Sequence, residues 1–246
     1  MAKYVVGRGT LINTAAVAVG ASIGLLAGKA IPSSYEEIVV GGIGLATAGI
    51  GVKMFLESKN ILALIAAIAF GGILGHLIGI QDGVRAFAEW AKTTFGAKGE
   101  TTFVEAILTT SVLFCVGPLT LLGCIQDALE DKVDLIGTKS MLDGIGSIFF
   151  AAALGVGVLV SALVVFVVQG LLTILASPLK RIVHDEATIA EATAAGGLMM
   201  LAIGMNLLDV RQTPVADYLP ALFLAPLIVS LIHRWFPPKQ PATPVG

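Results

Sequence analysis

The sequence predicts an all-α fold, a polytopic transmembrane bundle of about eight helices, and three observations carry that reading. Apolar runs of membrane-crossing length follow one another along almost the whole chain. Charged residues are too few to clothe a water-soluble surface: of 246 residues 56% are hydrophobic and 13% charged, against about 25% charged in soluble domains. Glycines, 29 of them, recur at helical spacing inside the runs.

Runs near 10–31, 37–56, 61–80, 102–125, 139–157, 158–177, 188–208 and 216–234 each approach the roughly 20 residues that a helix needs to cross ~30 Å of hydrocarbon. Eight such spans leave no room for a soluble domain, so residues 1–246 form one transmembrane domain. The first run follows Lys3 and Arg8 in the manner of a signal peptide. It lacks a small-residue cleavage pattern before Pro32 and reads as a retained first helix. Gly20, Gly24 and Gly28 in that span, and Gly71, Gly75 and Gly79 in the third, step by four. In lipid such a stripe lets two backbones approach, within the fold or across a homodimer.

Between the third and fourth spans, 82–95 sets Val84, Phe87, Trp90 and Ala91 on one face of an interfacial amphipathic helix, with Trp90 as its anchor. The fourth span holds Cys115 and Cys124, which an unbroken helix would separate by about 13 Å, beyond the reach of a disulfide. Gly117-Pro118 interrupts that span: Pro118 has no N–H for the carbonyl of Phe114, so the helix kinks or breaks. The stretch 139–177 is too long for one span and divides near Gly155 and Gly157. In span eight, Pro220 and Pro226 free the carbonyls of Ala216 and Leu222. The Pro-rich tail 237–246 reads as disordered.

An internal repeat organises the spans. EEIVVGGIGLATAGIG at 36–51 aligns with EATAAGGLMMLAIGMN at 191–206, pairing Glu36 with Glu191, Gly41-Gly42 with Gly196-Gly197 and Gly49 with Gly204. Extended outward, 10–80 forms one copy and 158–234 the other, with 102–157 between them. An offset of five spans makes the copies cross in opposite directions, the inverted architecture of many secondary transporters. Two Gly/Ala-rich helices also resemble each other by chance.

Basic residues divide unevenly between alternate loops. Lys3, Arg8, Lys53, Lys59, Lys132, Lys139, Lys180, Arg181, Arg234 and Lys239 fall on one side, and Lys29, Arg85, Lys92, Lys98 and Arg211 on the other. The excess places both termini in the cytoplasm. The net charge of −2, with no basic run, gives no reason to expect nucleic acid.

Polar residues inside the spans are the functional candidates. Lys139, Asp143 and Ser147 share one helical face at the entrance of span five. They read either as an end-capping ion pair or as a cation or proton ligand. Span four adds Glu105, Thr109 and Thr110 ahead of the break, whose freed carbonyl on Phe114 is the kind of group that coordinates Na⁺ or H⁺. Asn13, Gln169 and Asn206 are candidates to orient a substrate, or simple interhelical hydrogen-bond formers. Zinc-protease, nucleophile-elbow, P-loop and dinucleotide motifs are missing, and His76, His184 and His233 are dispersed, so neither an enzyme, a cofactor nor a metal cluster is expected.

GTLIN at 9–13, FVEAILTTSVLFCVG at 103–117, KSMLDGIGSIFFA at 139–151, AGGLMMLAIGMNLL at 195–208 and LPALFLAP at 219–226 resemble the YqgA/YdfK-like family, domain of unknown function 554. That resemblance implies a bacterial inner-membrane protein. The family carries the label of sodium channel or pump and has no established catalytic residues. Asn13, Glu105, Asp143 and Asn206 stand inside the matching segments. The expected function is a secondary transporter of an ion or small solute, with Asp143 and Glu105 taking Na⁺ or H⁺. A cation channel using the same carboxylates, and a non-transporting scaffold, are the alternatives.

Overall fold

Which helices touch is decided mainly by where side chains are missing. In a computed structural model that describes residues 7–28, 35–94, 102–183 and 185–235, eleven α-helices follow one another and no strand occurs among the described residues. They are α1 (Arg8–Gly28), α2 (Glu36–Phe55), α3 (Ile61–Ile78), α4 (Ile80–Thr94), α5 (Phe103–Cys115), α6 (Pro118–Glu130), α7 (Asp134–Leu154), α8 (Gly157–Ile174), α9 (Ala176–Ile182), α10 (Glu186–Leu207) and α11 (Ala221–Trp235).

Gly20 lies against Gly144, Gly24 against Ile148 and Gly28 against Ala152, so α1 and α7 run parallel with backbones touching. A Cβ at Gly20 would strike the Gly144 carbonyl and the Ser147 hydroxyl. The second close pair is antiparallel: Gly44 faces Gly204 and Leu208 while Gly51 faces Gly197 and Leu201, which joins α2 to α10. Gly71 and Gly75 admit Ala221 and Asp217 in the same way, setting α3 antiparallel to α11. Gly79 departs from the expected packing stripe. Its φ of 75° terminates α3, and nothing lies within 4 Å of the Cβ position.

These directions fix the topology. The Gly9 N–H, at the start of α1, donates to Asp127 in the last turn of α6, so α1 begins at the membrane face where α6 ends. The Phe103 carbonyl abuts Gly157, which puts the starts of α5 and α8 together at the opposite face. Lys180 of α9 reaches Glu130 at 3.3 Å, and His233 near the end of α11 reaches Asp185 at 3.8 Å, so α11 ends at the face where α1 begins.

Among the described residues six helices are long and apolar enough to cross a membrane, or seven when α5 and α6, bent by 59°, are taken as one broken span. The remaining traverse is α7, which carries Asp134, Lys139 and Asp143 yet is 21 residues long and lies along α1. Large apolar side chains such as Leu26, Ile38, Leu62, Phe70 and Leu77 are exposed on the outside, as lipid-facing residues are. α10 is buried over most of its length and forms the centre.

Several boundaries differ from the sequence reading. Span five starts at Asp134, ahead of Lys139: Asp134 is an exposed acidic residue in the first turn, where the helix dipole favours it, while Lys139 and Asp143 farther along are buried. The division of 139–177 falls where expected: α7 stops at Leu154, Gly155 takes φ 84° and α8 starts at Gly157. In span eight a 3₁₀ turn, Val215–Tyr218, precedes α11. Its Ala216 carbonyl is not free, because it accepts the Leu219 N–H, while Pro226 does lie inside α11. The amphipathic α4 buries Ala88 and Ala91 and leaves Trp90 exposed beside Phe87, ring centroids 5.8 Å apart. The tail 237–246 lies outside the described residues.

Candidate functional site

A helix needs an N–H from residue 118 to satisfy the carbonyl of residue 114, and proline cannot provide one. The helix α5 therefore ends at Cys115, Val116 is extended, and Gly117 takes φ 122°, a conformation suited to glycine, before α6 starts at Pro118. The stranded Phe114 carbonyl accepts a hydrogen bond from the Lys139 ammonium at 2.9 Å. Four residues along α7, and thus on the same face, Asp143 offers both carboxylate oxygens to that ammonium. The Asn13 amide of α1 donates to Asp143 Oδ2 at 2.9 Å.

Lys139 and Asp143 are each 6% exposed. Three ammonium protons meet three acceptors, so the lysine is saturated. Such a pair is retained in a low-dielectric interior only when its geometry and remaining hydrogen bonds are this complete. It is no cap at the helix entrance, since α7 begins a turn earlier.

Around the pair the accounting does not close. Asn13 Oδ1, Thr14 Oγ1, Ser111 Oγ, Thr120 Oγ1 and both amide atoms of Gln169 are buried with no hydrogen-bond partner among the described residues. They come from α1, α5, α6 and α8, all of which contact one another or α7. The Thr10 and Thr173 hydroxyls meet at 3.3 Å across antiparallel α1 and α8, which brings Gln169 level with Asn13 and Thr14. The thiol of Cys124 in α6 donates to the Gln169 carbonyl at 3.7 Å. Each orphaned polar atom costs about 1–3 kcal/mol unless water or a ligand satisfies it. Both cysteines are free and buried.

The other candidates are placed elsewhere. Glu105, Thr109 and Asn206 line a cavity of about 370 Å³ at the face where α5 starts, together with Arg85 and Gln81. Its inner wall includes Val112 and Ile203, both buried. Glu105 therefore does not join Asp143; nine helical residues, about 13 Å, separate it from Phe114. Asn206 holds its own loop, donating to the Thr213 carbonyl and accepting the Thr213 N–H. Ser147 donates to the Gly144 carbonyl and packs where Gly20 passes, without a bond to Asp143.

Three buried carboxylates escaped the sequence reading or were taken as span-end charges. Asp127 accepts the Gly9 N–H at the start of α1. Glu191 accepts from Ser58 Oγ and from the Lys59 and Asn60 N–H groups before α3. Asp217 accepts the Gln81 N–H at the start of α4 and faces His76 Nδ1 at 3.2 Å. Each neutralises the positive end of a helix remote in sequence. Nothing local betrays such a partnership.

A family profile described as protein of unknown function DUF554 matches residues 8–230. The chain belongs to that family. Among its relatives, the uncharacterized membrane protein YdfK of Bacillus subtilis (strain 168) is 29% identical over 232 residues, covering 92% of this chain and 97% of the relative. The uncharacterized protein YqgA of Escherichia coli (strain K12) is 27% identical over 232 residues, covering 93% and 98%. No solved structure matches. As a DUF554 member with several apolar membrane-length helices, the protein is a membrane protein, and a lipid bilayer is its medium.

Proposed function

We propose that this DUF554 protein is a secondary transporter, not an enzyme, that moves an ion or small solute through a site at Asp143, Asn13 and the Phe114 carbonyl. The observation that carries the reading is the Lys139–Asp143 pair at the broken helix, surrounded by unsatisfied polar side chains. An ionisable group at that depth is expensive to keep and is a mark of a translocation site. Broken helices that expose carbonyls serve the same purpose in transporters.

The cavity containing Glu105 is the vestibule, and Val112 and Ile203 close its inner end. It opens on the face carrying Arg85, Lys92 and Arg211. The opposite face carries Lys53, Lys59, Lys132, Lys180, Arg181 and Arg234. By that asymmetry the vestibule faces outward, with both termini cytoplasmic in a bacterial inner membrane. Support for an inverted repeat comes from helix direction: α1 and α8, α2 and α10, and α3 and α11 each run antiparallel and in contact.

The test is uptake of radiolabelled Na⁺ with simultaneous internal pH in proteoliposomes, with and without an imposed potential, for wild type and Asp143→Asn. Flux above empty liposomes that Asp143→Asn abolishes supports the reading. Equal flux in the two proteins, or none from folded wild type for any cation or solute tried, refutes it.

A further inference from the structure

Building on the transporter reading, we propose that Lys139 is a tethered competitor for the transported species: a monovalent cation binds by displacing the Lys139 ammonium from between Asp143 and the Phe114 carbonyl, and the lysine departs as the neutral amine. The position Nζ occupies is already a cation site in its ligands. Two carboxylate oxygens and one freed backbone carbonyl converge on it. Asn13 Oδ1, next to the carboxylate its own amide donates to, has no partner and supplies a further oxygen. An all-oxygen set with a single negative charge suits a small hard monovalent cation.

The same charge count forbids joint occupancy. One carboxylate cannot neutralise an ammonium and a second cation in a medium where an unpaired buried charge is prohibitive. The displaced ammonium would also need a free anion: Asp134 on its own helix is exposed at the membrane face, and Asp127, the buried carboxylate of α6, is already engaged. Toward α7, α1 presents Asn13 and Thr14, its Arg8 being held by Asp131 at 3.7 Å. From α5 come Ser111 and Cys115, and α8 has only Ser161, Gln169 and Thr173 as polar groups. From α6 come Thr120, Cys124 and Asp127, whose carboxylate holds the Gly9 N–H. On α2, Lys53 is exposed and of the wrong sign. A neutral amine, by contrast, both donates and accepts, and the unpaired Gln169 carboxamide matches it on both counts.

The balance is then simple. The N–H bond of the ammonium breaks, the electron pair stays on Nζ, one proton leaves to water and one monovalent cation enters. The charge of the site is unchanged, and transport is a one-for-one exchange of cation for proton, blind to membrane potential.

The test is cation-dependent thermal stabilisation of the purified full-length protein in detergent, with Na⁺ and K⁺ as probes and choline as control, across pH. Wild type should bind about tenfold more tightly for each unit that pH rises, the signature of one proton released per cation. Lys139→Gln should bind more tightly with no pH dependence, and its flux in liposomes should carry current. Because that variant strips Asp143 of its counter-charge, Lys139→Arg guards against misfolding. It keeps the charge and the donors but cannot give up its proton, so it should fold and lose at least tenfold in cation affinity. Wild-type affinity in Lys139→Arg, or an unchanged pH dependence in Lys139→Gln, overturns the competition. Stabilisation by Na⁺ in a wild type that moves nothing across liposomes would overturn the transporter reading alone.

Discussion

Replacing Glu191 gives the sharpest check on the packing logic. The side chain is fully buried in the second turn of α10. Its carboxylate accepts from the Lys59 N–H at 2.7 Å, the Asn60 N–H at 2.6 Å and Ser58 Oγ at 2.9 Å. Asn60 in turn caps α3 through the Ala63 N–H. Glu191→Ala strands two backbone donors, while the hydroxyl is free to rotate. At about 1–3 kcal/mol per stranded group, the loss should be about 4 kcal/mol. Glu191→Gln keeps Oε1, the one oxygen that accepts both backbone N–H groups, and turns its NH₂ toward the Ser58 hydroxyl, which can rotate to accept, so a loss of about 1 kcal/mol is expected. Reversible unfolding in mixed micelles, followed by helicity, reads both numbers, and hydrogen exchange at Lys59 and Asn60 locates the effect. A Glu191→Ala protein within about 0.5 kcal/mol of wild type, or unaltered exchange at the two amides, would refute the reasoning.

Other expectations follow from the same geometry. Asp143→Ala should destabilise by about 3–5 kcal/mol by leaving Lys139 unpaired, whereas the Lys139→Met, Asp143→Leu double variant should lose clearly less, as an unfolding cycle will show. Gly20→Ala, whose Cβ would meet the Gly144 carbonyl, should cost about 1–3 kcal/mol. Gly41→Ala, with nothing within 4 Å, should be neutral or gain up to about 1 kcal/mol from helix propensity, measured by the same unfolding. With Cys115 and Cys124 replaced by alanine, a cysteine substituted for Glu105 should react with a membrane-impermeant maleimide from the vestibule side. One substituted for the fully buried Ala106 should not.

How much of this could be read from sequence depended on range. The break at Gly117-Pro118 was legible because it follows from the covalent structure of proline, and so was the loss of a partner at Phe114. What fills the vacancy was not, since the Lys139 ammonium comes from 25 residues downstream. Glycine spacing marked the face of α1 that a backbone approaches, though not that α7 is the helix that approaches it, and the same spacing misread Gly79, where a positive φ ends the helix. Glu105 and Asp143 looked like partners because both are carboxylates in neighbouring spans; depth along the helix axis, which a linear reading does not carry, separates them. The start of α7 was missed because a hydropathy pattern stops a span short of a charge such as Asp134, whereas a helix accommodates an acidic residue in its first turn.

The three helix-capping carboxylates bear on how the chain is made. Asp127 serves α1 from 118 residues downstream, Glu191 serves α3 from more than 130, and Asp217 serves α4 from 136. During synthesis the amides of Gly9, Lys59, Asn60 and Gln81 therefore enter the bilayer before the carboxylates that will hold them exist. A nascent chain arrested after α4 holds hairpins that are inserted yet unfastened. Each fastening waits for a specific later segment, so the order of insertion runs from the first helix onward while the locking of each early helix is dictated by one made well after it.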